Sequence, residues 1–420
     1  MAAASTKTNI LTGIELGTSA AKVAVGRVEG DDTLSLLGLA REPLQGIVKG
    51  EIADMESARD ALQTALEAAE KQAGASVQNV FLAVTGSHIR SVVRSGKTPV
   101  QSAERRIEED DVVTAVRNAK STNLPPDERV INSLDRRYLV DGNHEVLPPV
   151  GHRANSLEAE VLLIYGNLSR LETACDAVHD VLSYSPTDIA FSPIAACLAA
   201  FRPDQLERGA LLIDIGAGIT EYALFCGPGC FHTGQIAIGC NHCANDLAIG
   251  LKVSFAKGRQ LLNNLAQYGG ATVQPDGHRR IVEIDGAASR RRRIPVSAIE
   301  QIIEARLEEL LQLVADDLRS AGALPKAAEG AVLCGGGARI PGILKMAKDE
   351  LGIPVRTGGI VRARLPAEAE DPEDYVVPVG MIRYGQFMLQ VSQPEQPSLL
   401  EQIRHDLRKA RDVVRRAFPW

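Results

Sequence analysis

Near its start the chain reads Thr12-Gly-Ile-Glu15-Leu-Gly17-Thr18-Ser19, followed by Ala-Ala-Lys22-Val-Ala-Val, and the same pattern recurs in mid-chain. The second copy reads Leu211-Leu-Ile-Asp214-Ile-Gly216-Ala-Gly218-Ile-Thr220, followed by Glu-Tyr-Ala-Leu-Phe. Each copy is an apolar run ending in a carboxylate, a turn of glycine and small residues, and a second apolar run, which predicts a β-hairpin. Glycine lets backbone N–H groups approach a phosphate closely. Two such turns in duplicated domains would clamp a nucleotide triphosphate; residues 17–19 are here called turn 1 and residues 216–219 turn 2.

Length and composition describe a multidomain globular protein. A chain of 420 residues exceeds one ordinary core, and 45% hydrophobic with 24% charged residues is typical of soluble proteins. An aromatic share of 4% and a net charge of −7 argue against a stacking platform for single-stranded nucleic acid and against a DNA-coating protein. No apolar stretch approaches the roughly 20 residues of a membrane-spanning helix, and MAAASTKTN is no secretory signal. We therefore expect a cytoplasmic protein.

The seven cysteines are scattered and odd in number, which predicts free thiols in a reducing compartment. Cys240-Asn-His242-Cys243 has the spacing of zinc ligands. A second ligand pair at suitable spacing is missing, so partly buried cysteines are favoured over a zinc site.

A third glycine loop follows the second hairpin. The run Ala331-Val-Leu-Cys334-Gly335-Gly336-Gly337-Ala-Arg339 predicts a strand, a glycine loop and a helix. Three glycine loops separated by α/β units resemble the actin, sugar-kinase and Hsp70 superfamily. That resemblance implies an α/β fold of duplicated actin/Hsp70-like (ribonuclease H-like) domains.

The same resemblance implies an ATP site with Mg²⁺. Phosphate contacts would come from Gly17, Thr18, Ser19 and Lys22 on one side, and from the backbone of Gly216, Ala217, Gly218 and Thr220 on the other. The adenosine would lie against Gly335, Gly336, Gly337 and Arg339. Glu15 and Asp214 would hold Mg²⁺ largely through its waters, which suits an ion that keeps its hydration shell.

A more specific resemblance, to the FtsA family of bacterial division proteins, covers nearly the whole chain. The segment Gly239-Cys-Asn-His-Cys-Ala-Asn245-Asp246-Leu-Ala-Ile-Gly-Leu resembles that family's GG-x-H-x-TNDIAIGL. The segments Pro125-Pro126-Asp-Glu-Arg-Val-Ile and Leu157-Glu-Ala-Glu-Val look like its inserted subdomain 1C, which generic actins lack. The bounds implied are 1A over 9–86 with 167–205 and 372–390, 1C over 87–166, 2A over 206–244 with 318–371, 2B over 245–317, a linker over 391–398 and an amphipathic helix over 399–420.

Three departures from the family bear on hydrolysis. Glu15 replaces an aspartate and extends its carboxylate by about 1.5 Å, which alters the Mg²⁺ geometry. Ala217 replaces a glycine and stiffens turn 2. Leu198 stands where the family has a glutamate, and leucine cannot orient a water that attacks the γ-phosphate. We expect ATP to be bound but hydrolysed slowly or not at all.

The C-terminal segment has one apolar stripe at helical spacing. The stripe comprises Leu400, Ile403, Leu407, Ala410, Val414 and Phe418. Six Lys/Arg against three Asp/Glu make its flank basic, and Trp420, the only tryptophan, stands where an indole settles at the headgroup level. The FtsA resemblance implies that this helix binds an anionic membrane surface. A helix that packs on its own domain, or pairs in a coiled coil, remains the alternative.

A basic cluster, Arg290-Arg291-Arg292-Arg293, lies with Arg279-Arg280 in a predicted hairpin of subdomain 2B. In FtsA this subdomain receives the C-terminal peptide of the tubulin-like ring protein FtsZ, which is commonly acidic with an apolar anchor, so complementary charge would favour its capture. A solvated charge run is the alternative. Nucleic acid is the weakest option, because the cluster lacks aromatic residues.

The function implied is an ATP-binding, actin-like scaffold that forms filaments on the cytoplasmic face of the membrane at the division site. It would anchor FtsZ and recruit later division proteins through the insert. A small-molecule phosphotransferase on the same fold would need a general-base aspartate in the cleft, and no candidate stands out. A PilM-like pilus-assembly adaptor would lack the membrane helix. An Hsp70-type chaperone would need a further substrate-binding domain.

Overall fold

The structure, a computed structural model, describes residues 10–29, 33–121, 124–268, 281–285, 291–366, 369 and 371–391. The strands of these residues are β1 (Ile10–Leu16), β2 (Ala20–Val28), β3 (Leu34–Pro43), β4 (Ile47–Val48), β5 (Glu51–Ile52), β6 (Val80–Val84), β7 (Arg90–Pro99), β8 (Glu128–Val140), β9 (His144–Val146), β10 (Ser156–Asn167), β11 (Asp188–Phe191), β12 (Ala210–Ile215), β13 (Thr220–Cys226), β14 (Gly229–Ile236), β15 (Ile281–Asp285), β16 (Arg291–Pro295), β17 (Ala331–Cys334), β18 (Val355–Thr357) and β19 (Ala363–Arg364). The α-helices are α1 (Met55–Ala73), α2 (Glu109–Lys120), α3 (Leu168–Leu182), α4 (Ser192–Ala200), α5 (Pro203–Gly209), α6 (Cys240–Leu251), α7 (Phe255–Asn263), α8 (Leu265–Tyr268), α9 (Val296–Ser320), α10 (Ile343–Leu351) and α11 (Val376–Val391).

Two sheets repeat one topology. The first has the order β11-β6-β1-β2-β3-β19 and the second β14-β13-β12-β17-β18. In each sheet the first strand of the repeated hairpin is central, because it pairs antiparallel with its hairpin partner and parallel with the next strand of the α/β unit. The order β3-β2-β1-β6-β11 therefore has its counterpart in β14-β13-β12-β17-β18. This confirms the predicted duplication of a ribonuclease H-like domain.

Strand β12 shows why the two halves hold together. Its odd positions, Leu211, Ile213 and Ile215, enter the core of the second half. Its even positions Ala210 and Leu212 enter a core that extends into the first half. A strand buried on both faces reads as a continuous apolar run rather than an alternating one, as the sequence does here.

Helix α11 closes the first half by close backbone packing. A Cβ on Gly380 would lie 1.9 Å from the carbonyl oxygen of Ala195 in α4, and one on Gly13 of β1 would lie 1.8 Å from that of Pro378. Only glycine fits at either contact. Pro378 lies in the first helical turn, where its missing N–H breaks no helical hydrogen bond.

The insert leaves the first half after β6 and returns through β10 into α3. It is a four-stranded antiparallel sheet of order β7-β10-β8-β9, with α2 on one face. A Cβ on Gly96 of β7 would lie 2.2 Å from the carbonyl oxygen of Ala115, which explains how closely α2 packs. The strand-like runs at 129–140 and 158–166 predict two strands, which the structure confirms as β8 and β10. The sequence does not indicate the edge strands β7 and β9, whose polar side chains alternate without a long apolar run.

The second half carries α6–α9 and the hairpin of β15 and β16. The sequence predicts one helix over 254–267, which is wrong in one respect, because the structure divides it at Asn264 into α7 and α8. Within the described residues, no helix has both the length and the apolar character needed to cross a membrane. The predictions for the linker beyond Val391, for the helix 399–420 with its membrane residues, and for Arg279, Arg280 and Arg290 lie outside the described residues. The subdomain bounds stay a prediction.

Candidate functional site

Turns 1 and 2 are each closed by a hydrogen bond at the equivalent position. The N–H of Gly17 donates to the carbonyl of Ala20 at 3.0 Å, and the N–H of Gly216 donates to that of Ile219, also at 3.0 Å. In the described part of the chain, no protein acceptor is found for the backbone N–H groups at positions 18, 19, 217 and 218. These unpaired donors are what an anion between the turns requires.

The two turns are in contact. A Cβ on Gly218 would lie 2.7 Å from Oγ1 of Thr18, so a larger residue would separate them. The Thr18 hydroxyl also accepts from the N–H of Gly50 at 3.4 Å, a distance long enough to make this a weak bond. Turn 1 therefore borders both turn 2 and the short loop between β4 and β5.

Glu15 and Lys22 face each other across the first hairpin. They are register partners, and Nζ of Lys22 lies 3.1 Å from both carboxylate oxygens. Their side chains are only 12% and 16% exposed. Burial lowers the pKa of Lys22, but Glu15 and Asp214 more than offset it, so its pKa is raised and the amine stays charged.

The second hairpin has carboxylates at both corresponding positions, because Asp214 faces Glu221 rather than a lysine. Burial, with repulsion from Glu15, raises the pKa of Asp214 to about 6. Burial also raises the pKa of Glu221 to about 8, although a hydrogen bond from Thr85 opposes this. Sequence reasoning missed Glu221, and the signal that identifies it is its place in the second hairpin, which matches that of Lys22 in the first.

Glu15 and Asp214 suit a cation that keeps its waters better than one ligated directly by a cluster of side chains. Across the described residues, no three His, Cys, Asp or Glu side chains come together as a metal cluster. The charge of Glu15 nevertheless raises the pKa of Asp214, and a cation near both carboxylates relieves that repulsion. Mg²⁺ is commonly held by one or two carboxylates and its own waters. The residues present therefore fit the predicted ion.

The third glycine loop lies against Asp214. A Cβ on Gly335, whose φ is +76°, would lie 2.1 Å from Oδ1 of Asp214, and one on Gly337 would lie 2.2 Å from the Ile215 side chain. Among the described residues other than its chain neighbours, no atom lies within 4 Å of a Cβ on Gly336, so that position is open to them. The loop thus passes beside the end of β12, and its contact with adenosine stays a prediction.

Arg339 joins the third loop to the first half. Its guanidinium lies 2.7 Å from Oδ1 of Asp374, just before α11, and 3.9 Å from the carboxylates of Asp371 and Glu373. Asp374 is only 16% exposed and also raises the pKa of Lys22 and Asp214. The predicted adenosine contact Arg339 therefore has carboxylate partners across the cleft, and Asp374 is a further cleft residue that the sequence did not indicate.

The start of α6 holds turn 2. The N–H groups of Cys240 and Asn241 donate to the carbonyls of Gly216 and Ala217 at 3.0 and 2.8 Å. Thr220 is fully buried and its hydroxyl donates to the carbonyl of Ile238, so that hydroxyl is already engaged within the protein. Burial raises the pKa of the thiols of Cys240 and Cys243 to about 12, whereas zinc binding needs thiolates.

Two further predicted features are placed by the structure. Leu198 on α4 is partly buried and packs against the core of the first half. In the described part of the arginine cluster, Arg291 and Arg293 are exposed on β16, with Arg291 3.5 Å from Glu283. Arg292 instead donates to the carbonyl of Leu251 at 2.6 Å, at the end of α6. Only two of these three arginines therefore face solvent.

Comparison with known proteins agrees with this architecture. A family model described as "SHS2 domain inserted in FTSA" matches residues 86–165, and one described as "Cell division protein FtsA" matches residues 211–380. Cell division protein FtsA of Bacillus subtilis is 30% identical over 373 residues, covering 89% of this chain and 82% of the relative. That of Pseudomonas aeruginosa is 26% identical over 383 residues, covering 90% of this chain and 89% of the relative.

Two solved structures share the fold. The PilM-PilN type IV pilus biogenesis complex matches with a TM-score of 0.63 and 15% identity, covering 89% of this chain and 98% of that chain. MreB5 of Spiroplasma citri bound to ADP matches with a TM-score of 0.50 and 16% identity, covering 91% and 96%. Identities this low show the fold alone, which is the duplicated actin-like fold.

Proposed function

We propose that this chain, which belongs to the FtsA family of cell-division proteins, binds ATP and Mg²⁺ between turns 1 and 2. One observation carries this proposal. The two turns are in contact, each is closed by an equivalent hydrogen bond, and together they leave four N–H groups without an acceptor among the described residues. The structurally similar MreB5 was solved with ADP, which adds support from the same fold.

In the proposed site, different residues contact the phosphates, the Mg²⁺ ion and the adenosine. Lys22 and the unpaired N–H groups neutralise phosphate charge, and Thr18 and Ser19 add hydroxyl donors. Glu15 and Asp214 hold Mg²⁺ largely through its waters, and the ion supplies charge neutralisation on the phosphates. The glycines 335–337 and Arg339 border the adenosine. Leu198 offers no polar group to orient a water, so hydrolysis is slow.

We further propose that ATP-bound chains form filaments on the cytoplasmic face of the membrane at the division site. The basic, amphipathic sequence 399–420 is the anchor, with Leu400, Ile403, Leu407, Val414, Phe418 and Trp420 entering the bilayer surface. Each cation adds about 1 kcal/mol near an anionic surface, so one helix with a net excess of three attaches reversibly. A filament ties many helices together and raises their avidity by orders of magnitude.

The hairpin of β15 and β16 is the proposed receptor for the acidic C-terminal peptide of FtsZ. Arg291 and Arg293 are exposed there and supply positive charge. Ile249 near the end of α6 is 69% exposed and Phe255 at the start of α7 is 42% exposed, which supplies apolar surface in the same subdomain. Later division proteins are proposed to dock on the insert.

ATP binding tests the central proposal. The full chain is titrated with a fluorescent ATP analogue with and without Mg²⁺, and imaged by negative-stain microscopy on anionic lipid with ATP, ADP or no nucleotide. We expect Mg²⁺-dependent binding and membrane-bound filaments only with ATP. Absence of nucleotide binding would refute the site. Binding without filaments would refute only the polymer.

The peptide receptor is tested separately. The variant R291S/R293S should weaken binding of an FtsZ C-terminal peptide, with a reduced dependence on salt, because two exposed cations are lost. The control R117S/K120S removes two exposed cations from α2 of the insert and should bind the peptide as the wild type does. Equal affinity in both variants would rule out the hairpin as the receptor.

A further inference from the structure

The two connections between the first half and the insert are bonded to each other, and together they are here called the hinge. It enters through residues 85–88, here called the junction segment, and leaves through Gly166 and Asn167. The N–H of Asn167 donates to Nδ1 of His88 at 3.1 Å, and a Cβ on Gly166 would lie 2.9 Å from that ring. A shift of the junction segment therefore moves both connections of the insert together.

The second half holds the junction segment through a buried carboxyl. The Thr85 hydroxyl donates to Oε1 of Glu221 at 2.7 Å, and the N–H of Gly86 stabilises the charged form of the same group. Glu221 is only 4% exposed and lies on β13, directly opposite Asp214 and next to turn 2. Nε2 of Gln235 in β14 also donates to the carbonyl of Ser87, at 3.2 Å.

The first half holds the same segment from the other side. The Ser87 hydroxyl donates to Glu51 at 2.8 Å, and Glu51 also pairs with Arg170 in the first turn of α3. Gly50, the neighbour of Glu51, donates to the Thr18 hydroxyl of turn 1. The junction segment is thus bonded to residues adjoining both turns.

The insert also rests on β14, the partner of β13. The Ser91 hydroxyl donates to the carbonyl of Thr233 at 2.9 Å, and Nε of Arg136 donates to that of Phe231 at 2.9 Å. The Arg136 guanidinium lies 3.9 Å from the centre of the Phe231 ring. A displacement of the β13–β14 hairpin therefore reaches the insert at its hinge and along its face.

We infer that Glu221 is a positioning residue that transmits the spacing between turns 1 and 2 to the insert through Thr85. The inference rests on the proposed ATP site only for its effector, because the contacts that carry it all lie within the protein. When turn 2 moves, Glu221 moves with β13 and carries the junction segment. The orientation of the insert, the proposed docking surface for partners, then reports the state of the cleft.

The test is a coupling measurement by hydrogen exchange on the full chain without nucleotide. The variant Ala217→Gly frees turn 2 and should speed exchange in β13 and in β7 about two- to fivefold, because an added glycine costs roughly 0.5–1 kcal/mol of local order. In a Thr85→Val background the increase should persist in β13 and shrink in β7 to the part that the contacts of Gln235 and Ser91 carry. Thr85→Ser, which keeps the hydroxyl, should restore it, and the exposed Thr64→Val on α1 should change nothing.

If Thr85 only stabilised the fold, its replacement would change the hydrogen-exchange rates but leave the β7 response to Ala217→Gly intact. That result would overturn the inference. No β7 response in the wild-type background would overturn it as well. A second arm adds Mg·ATP, which should slow exchange at the turns and in β7, with a smaller effect in β7 when residue 85 lacks a hydroxyl. ATP without effect at the turns would refute the proposed nucleotide site, while the nucleotide-free arm still decides the coupling.

Discussion

Replacing Gly335 by alanine tests how the third loop supports the cleft. Gly335 has φ +76° and ψ 175°, a region that is essentially limited to glycine. Its added Cβ would lie 2.1 Å from Oδ1 of Asp214 and 2.6 Å from the carbonyl oxygen of Ile215. The second contact is with backbone, so no side-chain rotation relieves it.

The expected cost has two parts. Backbone strain at such a position is about 1–3 kcal/mol. Overpacking against fixed atoms adds about 1–3 kcal/mol. We therefore expect Gly335→Ala to lower the free energy of unfolding by about 2–6 kcal/mol and, since the loop is pushed off Asp214, to weaken ATP binding.

The neighbouring glycine is the matched control. A Cβ on Gly336 meets no atom within 4 Å, so Gly336→Ala should change stability by less than about 0.5 kcal/mol. Urea unfolding followed by circular dichroism compares both variants with the wild type. If Gly335→Ala unfolds at the wild-type midpoint, or if the two variants lose the same stability, the close approach to Asp214 is not as described.

Three further predictions concern charge and the tail. Lys22→Met should cost about 3 kcal/mol and weaken ATP binding, because Glu15 is left largely buried without its cation; an unchanged unfolding midpoint would contradict this. Because the pKa values of Asp214 and Glu221 are raised to about 6 and about 8, the folded state keeps protons that the unfolded chain releases, so these groups make stability fall as pH rises from about 4 to about 8. Urea midpoints of Glu221→Gln should lose the upper part of that fall, and slopes equal to the wild type would argue against it. A chain ending at Ser398 should no longer sediment with anionic vesicles; continued sedimentation would exclude the tail as the anchor.

Much of the fold was readable from local pattern. The paired hairpins follow from alternation of apolar runs with glycine turns, and long helices such as α1 and α9 follow from apolar periodicity. The break at Asn264 was not predicted, because the residues around it all tolerate a helix. The strand β7 was missed because an edge strand of an insert buries few of its side chains.

Some residues of the candidate site could be identified from the sequence, and others only from the structure. Glu15, Lys22 and Asp214 could be chosen from sequence, since each stands at a fixed place in a repeated motif. Glu221 could not be assigned a partner, because its hydrogen bond comes from Thr85, 136 positions earlier in the chain. Asp374 carries no motif, and its contact with Arg339 depends on how α11 docks.

The duplication, the glycine turns and the family could be inferred from the amino-acid sequence alone, because they depend on residue types at short, fixed spacings. The folded molecule was needed to show that Gly218 contacts Thr18, that Arg292 turns back to α6, and that the insert rests on β14. These contacts join segments that lie far apart in the chain and that only packing brings together. Their energies depend on distance in space, and sequence spacing carries no record of it.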